Sequence, residues 1–156
     1  MTFARLESIN DLMLLQEGDT ILAKDRFSLF TGPPIGNTPQ KGINWLLNDS
    51  GEPKLIICRT RETSGYGDRW LSKTDRLYLY HLMITARHTK NAKINHNATE
   101  NNLLLTQQIH GAPILLLIDR PGSKGVLDVE GKFRVVCRVH DDPIHPAIDS
   151  VLLEPW

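Results

Sequence analysis

Arg76-Leu77-Tyr78-Leu79-Tyr80-His81-Leu82-Met83-Ile84-Thr85 is the stretch that decides the fold. It holds aromatic, β-branched and long aliphatic residues without glycine or proline, and reads as one long strand. In strict alternation Tyr78, Tyr80 and Leu82 share one face, and Leu77, Leu79 and His81 the other. Upstream lies a turn, Ser64-Gly65-Tyr66-Gly67, and before it a second strand, Lys54-Leu55-Ile56-Ile57-Cys58-Arg59-Thr60. Residues 31–44 carry three prolines and three glycines, which predicts an irregular loop. A short helix is predicted over residues 6–16, capped by Ser8 or Asn10, and Thr20 to Ala23 starts a strand.

Downstream of the long strand, residues 87–97 are polar. A helix is predicted from Thr99 to His110, with Thr99 as its cap and Asn102 to Leu105 entering the core. Pro113 to Ile118 is a buried strand, Arg120 to Gly125 a loop, Lys132 to Val139 a strand, and Asp149 to Leu153 the last. Five or six strands with one or two short helices make an α+β fold around a sheet or partly closed barrel. The 156 residues fit one domain, 1–156.

Composition narrows the function. Lys plus Arg and Asp plus Glu are 18 each, so the net charge is zero. That argues against bulk electrostatic binding to nucleic acid and leaves room for a local basic face. The two cysteines, Cys58 and Cys137, sit inside apolar runs and are both predicted buried, and no C-x-x-C is present. Glu7 and Asp11 interrupt the N-terminal stretch where a signal peptide would be apolar, and a cytoplasmic location is expected. No Gly-rich phosphate loop or G-x-S-x-G occurs, and no cofactor or metal is expected.

The order of the pieces resembles the SET-and-RING-associated (SRA) domain, a PUA-like twisted, partly closed β-barrel that reads modified cytosine in DNA. Four segments carry the resemblance. Thr38-Pro39-Gln40-Lys41-Gly42-Ile43 resembles the family's H-R-P-x-x-G-I. Leu55-Ile56-Ile57-Cys58 followed by Ser64-Gly65-Tyr66-Gly67-Asp68 resembles the strand leading to G-G-Y-E-D. Arg76-Leu77-Tyr78-Leu79-Tyr80 resembles the strand that ends in Y-T-G. Last, Ala112 to Ile118 and Val129 to Val136 resemble G-K-P-V-R-V-V-R and Y-D-G-x-Y-x-V-V.

The resemblance implies that the modified base is rotated out of the duplex into a pocket. Two aromatic rings would sandwich it, because stacking replaces the lost neighbours at about 1–3 kcal/mol per base. In that role stand Tyr66 and Tyr80, with Tyr78 as the alternative if the register slips by two. Asp68 would accept from the exocyclic amine of cytosine. Three departures bear on which base is read: Arg69 stands where the family has a second acidic residue, His81 where it has a small hydroxyl, and Val129-Glu130-Gly131 where it has Y-D-G. Arg69 and His81 near the pocket point to a larger or more polar substituent, such as hydroxymethylcytosine. The loop after the G-I segment, Asn44 to Asn48, would supply the wedge through Trp45, with Leu46 beside it. Lys41, Arg87, Lys90 and Lys93 would hold backbone phosphates.

Other readings are open. Asp119, Glu130 and Lys132 imitate the D…E-x-K set of Mg²⁺-dependent nucleases. The run His140-Asp141-Asp142-Pro143-Ile144-His145 carries metal-ligand residue types in a proline-rich turn. A PUA-like scaffold also suits a reader of modified RNA. The resemblance favours a recognition domain whose cleavage chemistry comes from a fused or partner nuclease module, such as HNH, in a modification-dependent restriction system against phage.

Overall fold

The computed structural model describes residues 2–30, 42–61, 67–82, 98–140, 142–143 and 149–156. In chain order its elements are a 3₁₀ turn Ile9–Leu14, β1 Thr20–Leu22, α1 Ala23–Leu29, β2 Ile43–Leu47, β3 Pro53–Thr60, β4 Arg69–Ser72, β5 Leu77–His81, α2 Thr99–Leu105, α3 Gln107–His110, β6 Ile114–Asp119, β7 Val126–Val139 and β8 Ser150–Pro155. They fall into two compact units, Met1–Arg61 with Ala112–Lys132, and Glu62–Gly111 with Phe133–Trp156. No helix among the described residues is long and apolar enough to cross a membrane.

In the first unit the strand order is β2-β3-β6-β7, with β1 also paired to β7. β3 and β6 run parallel, from Ile56 opposite Ile114 to Thr60 opposite Ile118. Leu55 to Cys58 and Ile114 to Leu117 are all fully buried. Parallel strands covered on both faces read as continuous apolar runs, which is why neither segment alternates. Leu55, Ile57, Leu115, Leu117, Leu127 and Val129 form one core with Leu12, Leu15 and Ile21. The helix expected over residues 6–16 shortens to the 3₁₀ turn, entered where Asp11 Oδ2 accepts the Glu7 and Ser8 amides at 2.7 and 2.9 Å. Those two amides hold the Asp11 carboxyl below its ordinary range.

The expected loop after Ile43 is a strand. β2 pairs antiparallel with β3, placing Trp45 opposite Ile56, and both Trp45 and Leu46 are buried. A wedge must protrude into the duplex; Trp45 instead lies inside a paired strand, where its ring serves the core. The turn comes later, at Asn48, whose Oδ1 accepts the Ser50 and Glu52 amides at 3.0 and 2.9 Å.

Gly131, which stands in the family's Y-D-G segment, has a structural reason to be glycine. Its φ is +101°, and a Cβ would lie 3.3 Å from Glu17 Cβ. The Glu17–Asp19 segment is tied to the same strand by Gly18 N–H to Val129 O and Val129 N–H to Asp19 O. Gly131→Ala is therefore expected to destabilise the protein by about 1–3 kcal/mol through backbone strain, read as a lower urea midpoint with an unchanged slope.

The second unit has the order β7-β8-β5-β4. The strand expected from Arg76 begins one residue later, because Arg76 has φ +57° and closes the turn from β4. Its guanidinium lies over the Trp70 and Phe133 rings, 5.2 and 5.6 Å from their centroids. β7 alternates in and out up to Val135, and then the pairing with β8 skips Val136, setting Val135 opposite Leu153 and Cys137 opposite Leu152. A bulge of one residue reverses the in–out parity of the strand beyond it. That reversal exposes Cys137, against the expectation of two buried thiols, while Cys58 stays buried. Two glutamines hold the bulge: Gln107 Oε1 accepts the Val135 N–H at 3.0 Å, and Gln108 Nε2 donates to the Val135 and Val136 carbonyls.

The predicted Thr99–His110 helix breaks at Thr106, whose Oγ1 donates to the Asn102 carbonyl at 2.6 Å. Ala98, not Thr99, occupies the cap position. The buried stripe is Glu100, Asn101, Leu104 and Gln107, so the core-facing side is more polar than the expected run of leucines.

Candidate nucleic-acid interface

Strand ends converge at one end of the second unit's sheet. β4 starts at Arg69, β5 ends at His81, β8 starts at Ser150 and β7 ends at Val139. Ser150 pairs with His81 on one side and Val139 on the other. Polar side chains on and next to these strand ends meet there.

Asp68 precedes β4, and its side chain is 1% exposed. Its Oδ1 accepts the His81 backbone N–H at 2.8 Å and lies 2.5 Å from His81 Nδ1. The His81 ring stacks on Tyr80, with centroids 5.5 Å apart and planes 21° from parallel.

Arg69 faces a different partner. Its Nη1 and Nη2 donate to Asp142 Oδ2 and Oδ1 at 3.0 and 2.7 Å, and Nη1 also donates to the Gly67 carbonyl at 2.8 Å. The paired carboxylate raises the Arg69 pKa, mainly through that hydrogen bond, while burial pulls the other way. Planar two-point pairing of this kind is peculiar to arginine. A third cluster closes the end of the sheet: Asp149 Oδ2 takes Arg138 Nε at 2.5 Å and His140 Nδ1 at 2.8 Å, and its carbonyl takes the Leu82 N–H at 3.0 Å.

Of the expected pocket residues, Asp68, Arg69, Tyr80 and His81 gather at this end of the sheet. Tyr78 is fully buried and packs edge-to-face on Trp70, with centroids 5.0 Å apart and planes at 85°. That is a core contact, whereas Tyr80, next but one along the strand, stacks on His81. Arg69, expected to face the base, turns to Asp142 and Gly67. Tyr66, Lys41, Arg87, Lys90 and Lys93 lie outside the described residues. Asp142, Asp149 and Arg138 were not singled out as a set by the sequence; Asp142 meets Arg69 and Asp149 meets Arg138, each across residues distant in sequence.

Two members of the nuclease set are engaged elsewhere. Both oxygens of Asp119 accept from Arg59, at 2.8 and 3.1 Å, and Arg61 lies 4.0 Å away. Lys132 Nζ donates to the Met13 carbonyl at 3.1 Å. A carboxylate so paired is a poor Mg²⁺ ligand, since the ion would compete with a guanidinium already in place. Among the described residues no cluster of three or more metal-ligating side chains occurs. Within the run from His140, Asp142 is committed to Arg69 and His140 to Asp149, whereas Asp141 and His145 lie outside the described residues.

The fold is that of SRA domains, as solved structures show. The SRA domain of SUVH5 in complex with methylated CHH DNA superposes with a TM-score of 0.61 at 16% identity, covering 100% of this chain and 94% of that one. The same domain bound to fully hydroxymethylated CG DNA gives a TM-score of 0.60 at 17% identity, covering 100% and 95%. KRYPTONITE in complex with mCHH DNA, an H3(1–15) peptide and SAH gives 0.63 at 12% identity, covering 91% of this chain and 32% of that one. No protein-family model matches the sequence, and no curated protein does.

Proposed function

We propose that this chain reads a modified cytosine in double-stranded DNA by drawing the base out of the helix. The observation that carries the reading is the likeness, over the whole chain, to SRA domains captured on methylated and hydroxymethylated DNA. The chemistry at the sheet end agrees with it. Cytosine presents an amine donor, and Asp68 is a buried carboxylate beside His81, whose ring stacks on Tyr80. A carboxylate has about four acceptor sites, and Asp68 Oδ1 takes the His81 backbone N–H and faces its Nδ1. Tyr80 is 2% exposed, so a base stacking on it displaces what covers the ring. Tyr66 is the second face of the sandwich, and His81, in place of a small hydroxyl, borders the base and favours a polar substituent such as hydroxymethyl.

The wider role is that of a recognition module in a modification-dependent restriction system, acting in the cytoplasm with a nuclease module such as HNH, fused or in trans. A competition gel shift at about 100 mM salt, where phosphate binding is partly suppressed, tests the reading. The probes are one duplex carrying cytosine, 5-methylcytosine or 5-hydroxymethylcytosine at a single position, with single-stranded RNA as a control. A preference of about tenfold or more, worth about 1.4 kcal/mol, for a modified duplex is expected. Equal binding to all three duplexes, or stronger binding to the RNA, rejects it.

A further inference from the structure

A base-reading carboxylate works only if its position is fixed, and the residue beside Asp68 supplies the fixing. Gly67 has φ +81°, a left-handed conformation that a glycine enters and leaves at little cost. Asp68 therefore follows a natural swivel. Arg69 immobilises that swivel: Nη1 grips the Gly67 carbonyl at 2.8 Å while the same guanidinium is locked on both oxygens of Asp142, a residue 73 positions away that is 5% exposed. Asp68 is thus held at two points, its backbone through Arg69 on Gly67 and its side chain through His81.

We infer that Arg69 and Asp142 form a positioning pair for the Asp68 carboxylate, neither touching the base. This rests on the reader function proposed above. It gives the acidic-to-Arg departure after Asp68 a purpose: a planar fork is needed to grip a carbonyl and a carboxylate at once, and Lys, a point charge, cannot do both in fixed geometry.

Arg69→Lys keeps the charge and removes the fork, and Asp142→Asn removes the anchor, so the two variants test the pair independently. Two readouts on the full chain separate the ideas. The first is the ratio of affinities for the modified and unmodified duplexes. It is expected to fall at least fivefold in both variants, with affinity for the unmodified duplex within twofold of the parent. The second needs no DNA: hydrogen exchange of the His81 amide, whose acceptor is Asp68, is expected to quicken at least tenfold relative to amides of β3. An unchanged affinity ratio together with unchanged exchange, or an equal loss of affinity for both duplexes, overturns the positioning role. Should the parent show no preference between duplexes, the reader function falls, and the amide exchange alone still decides whether Arg69 and Asp142 hold Asp68.

Discussion

Asp68→Asn is expected to cut the preference for the modified duplex by about 10- to 150-fold, the equivalent of one hydrogen bond to a charged acceptor at about 1.5–3 kcal/mol. The amide still offers an oxygen to the His81 N–H, so the local fold survives. What it loses is charge and acceptor capacity, and its NH₂ group opposes the cytosine amine donor to donor. Binding to an unmodified duplex rests on phosphate contacts, which carry no sequence information, and is expected to stay within twofold. The same competition gel shift reads both quantities. A variant that retains the parental preference removes Asp68 from base recognition.

The second large effect concerns stability. Arg69→Met leaves the Asp142 carboxylate, 5% exposed, without its guanidinium. Breaking a buried pair from one side costs about 3–5 kcal/mol, because the remaining charge loses that partner away from water. The lower end, about 3 kcal/mol, applies here, since the Arg69 side chain is 32% exposed and partly screened. Against a typical total of about 5–15 kcal/mol this is a large share. It also carries a pH signature with a definite sign. In the variant, burial favours the protonated form of Asp142, so the folded state takes up a proton more readily than the unfolded state does. Stability relative to the parent therefore recovers as pH falls toward the carboxylate range. Urea unfolding at pH 7 and pH 5 measures it: the gap between variant and parent is expected to narrow at pH 5. A gap that is absent at pH 7, or widens at pH 5, contradicts the stranded-charge account.

Much of the architecture was legible from local pattern. Leu55–Cys58 and Ile114–Ile118 are unbroken apolar runs because their strands are parallel neighbours covered on both faces, and such runs announce themselves. β5 was equally clear from its aromatic and aliphatic content. α1 was missed because Leu22 sits at its cap position, without the side-chain oxygen that marks a helix start. β4 was missed because it is four residues long and slips register at Leu71. Trp45 was misplaced for a related reason: the Pro- and Gly-rich stretch before it looked like a loop that continued, while its cross-strand partner Ile56 lies beyond any local window.

The site was legible only where the resemblance supplied a template. Asp68 and Tyr80, which the structure places at one end of the sheet, were picked out from G-Y-x-D and the end of the long strand. The commitment of Arg69 to Asp142 was not, because 73 residues separate them and no short motif encodes a pairing set by sheet order. Likewise, Asp142 and His140 read as metal-ligand types until their partners, Arg69 and Asp149, came into view.

The bulge at Val136 makes the protein its own reporter. It turns Cys137 outward and leaves Cys58, the other cysteine in the chain, wholly buried. A thiol-reactive dye offered to the native protein thus attaches at one defined place, next to Arg138, whose partner Asp149 closes the end of the sheet that carries Asp68. If duplex docks there, as proposed, fluorescence from that dye would follow its arrival. The slow reaction of Cys58, by contrast, would count the molecules that open, so recognition and unfolding could be followed in one cuvette without changing a residue.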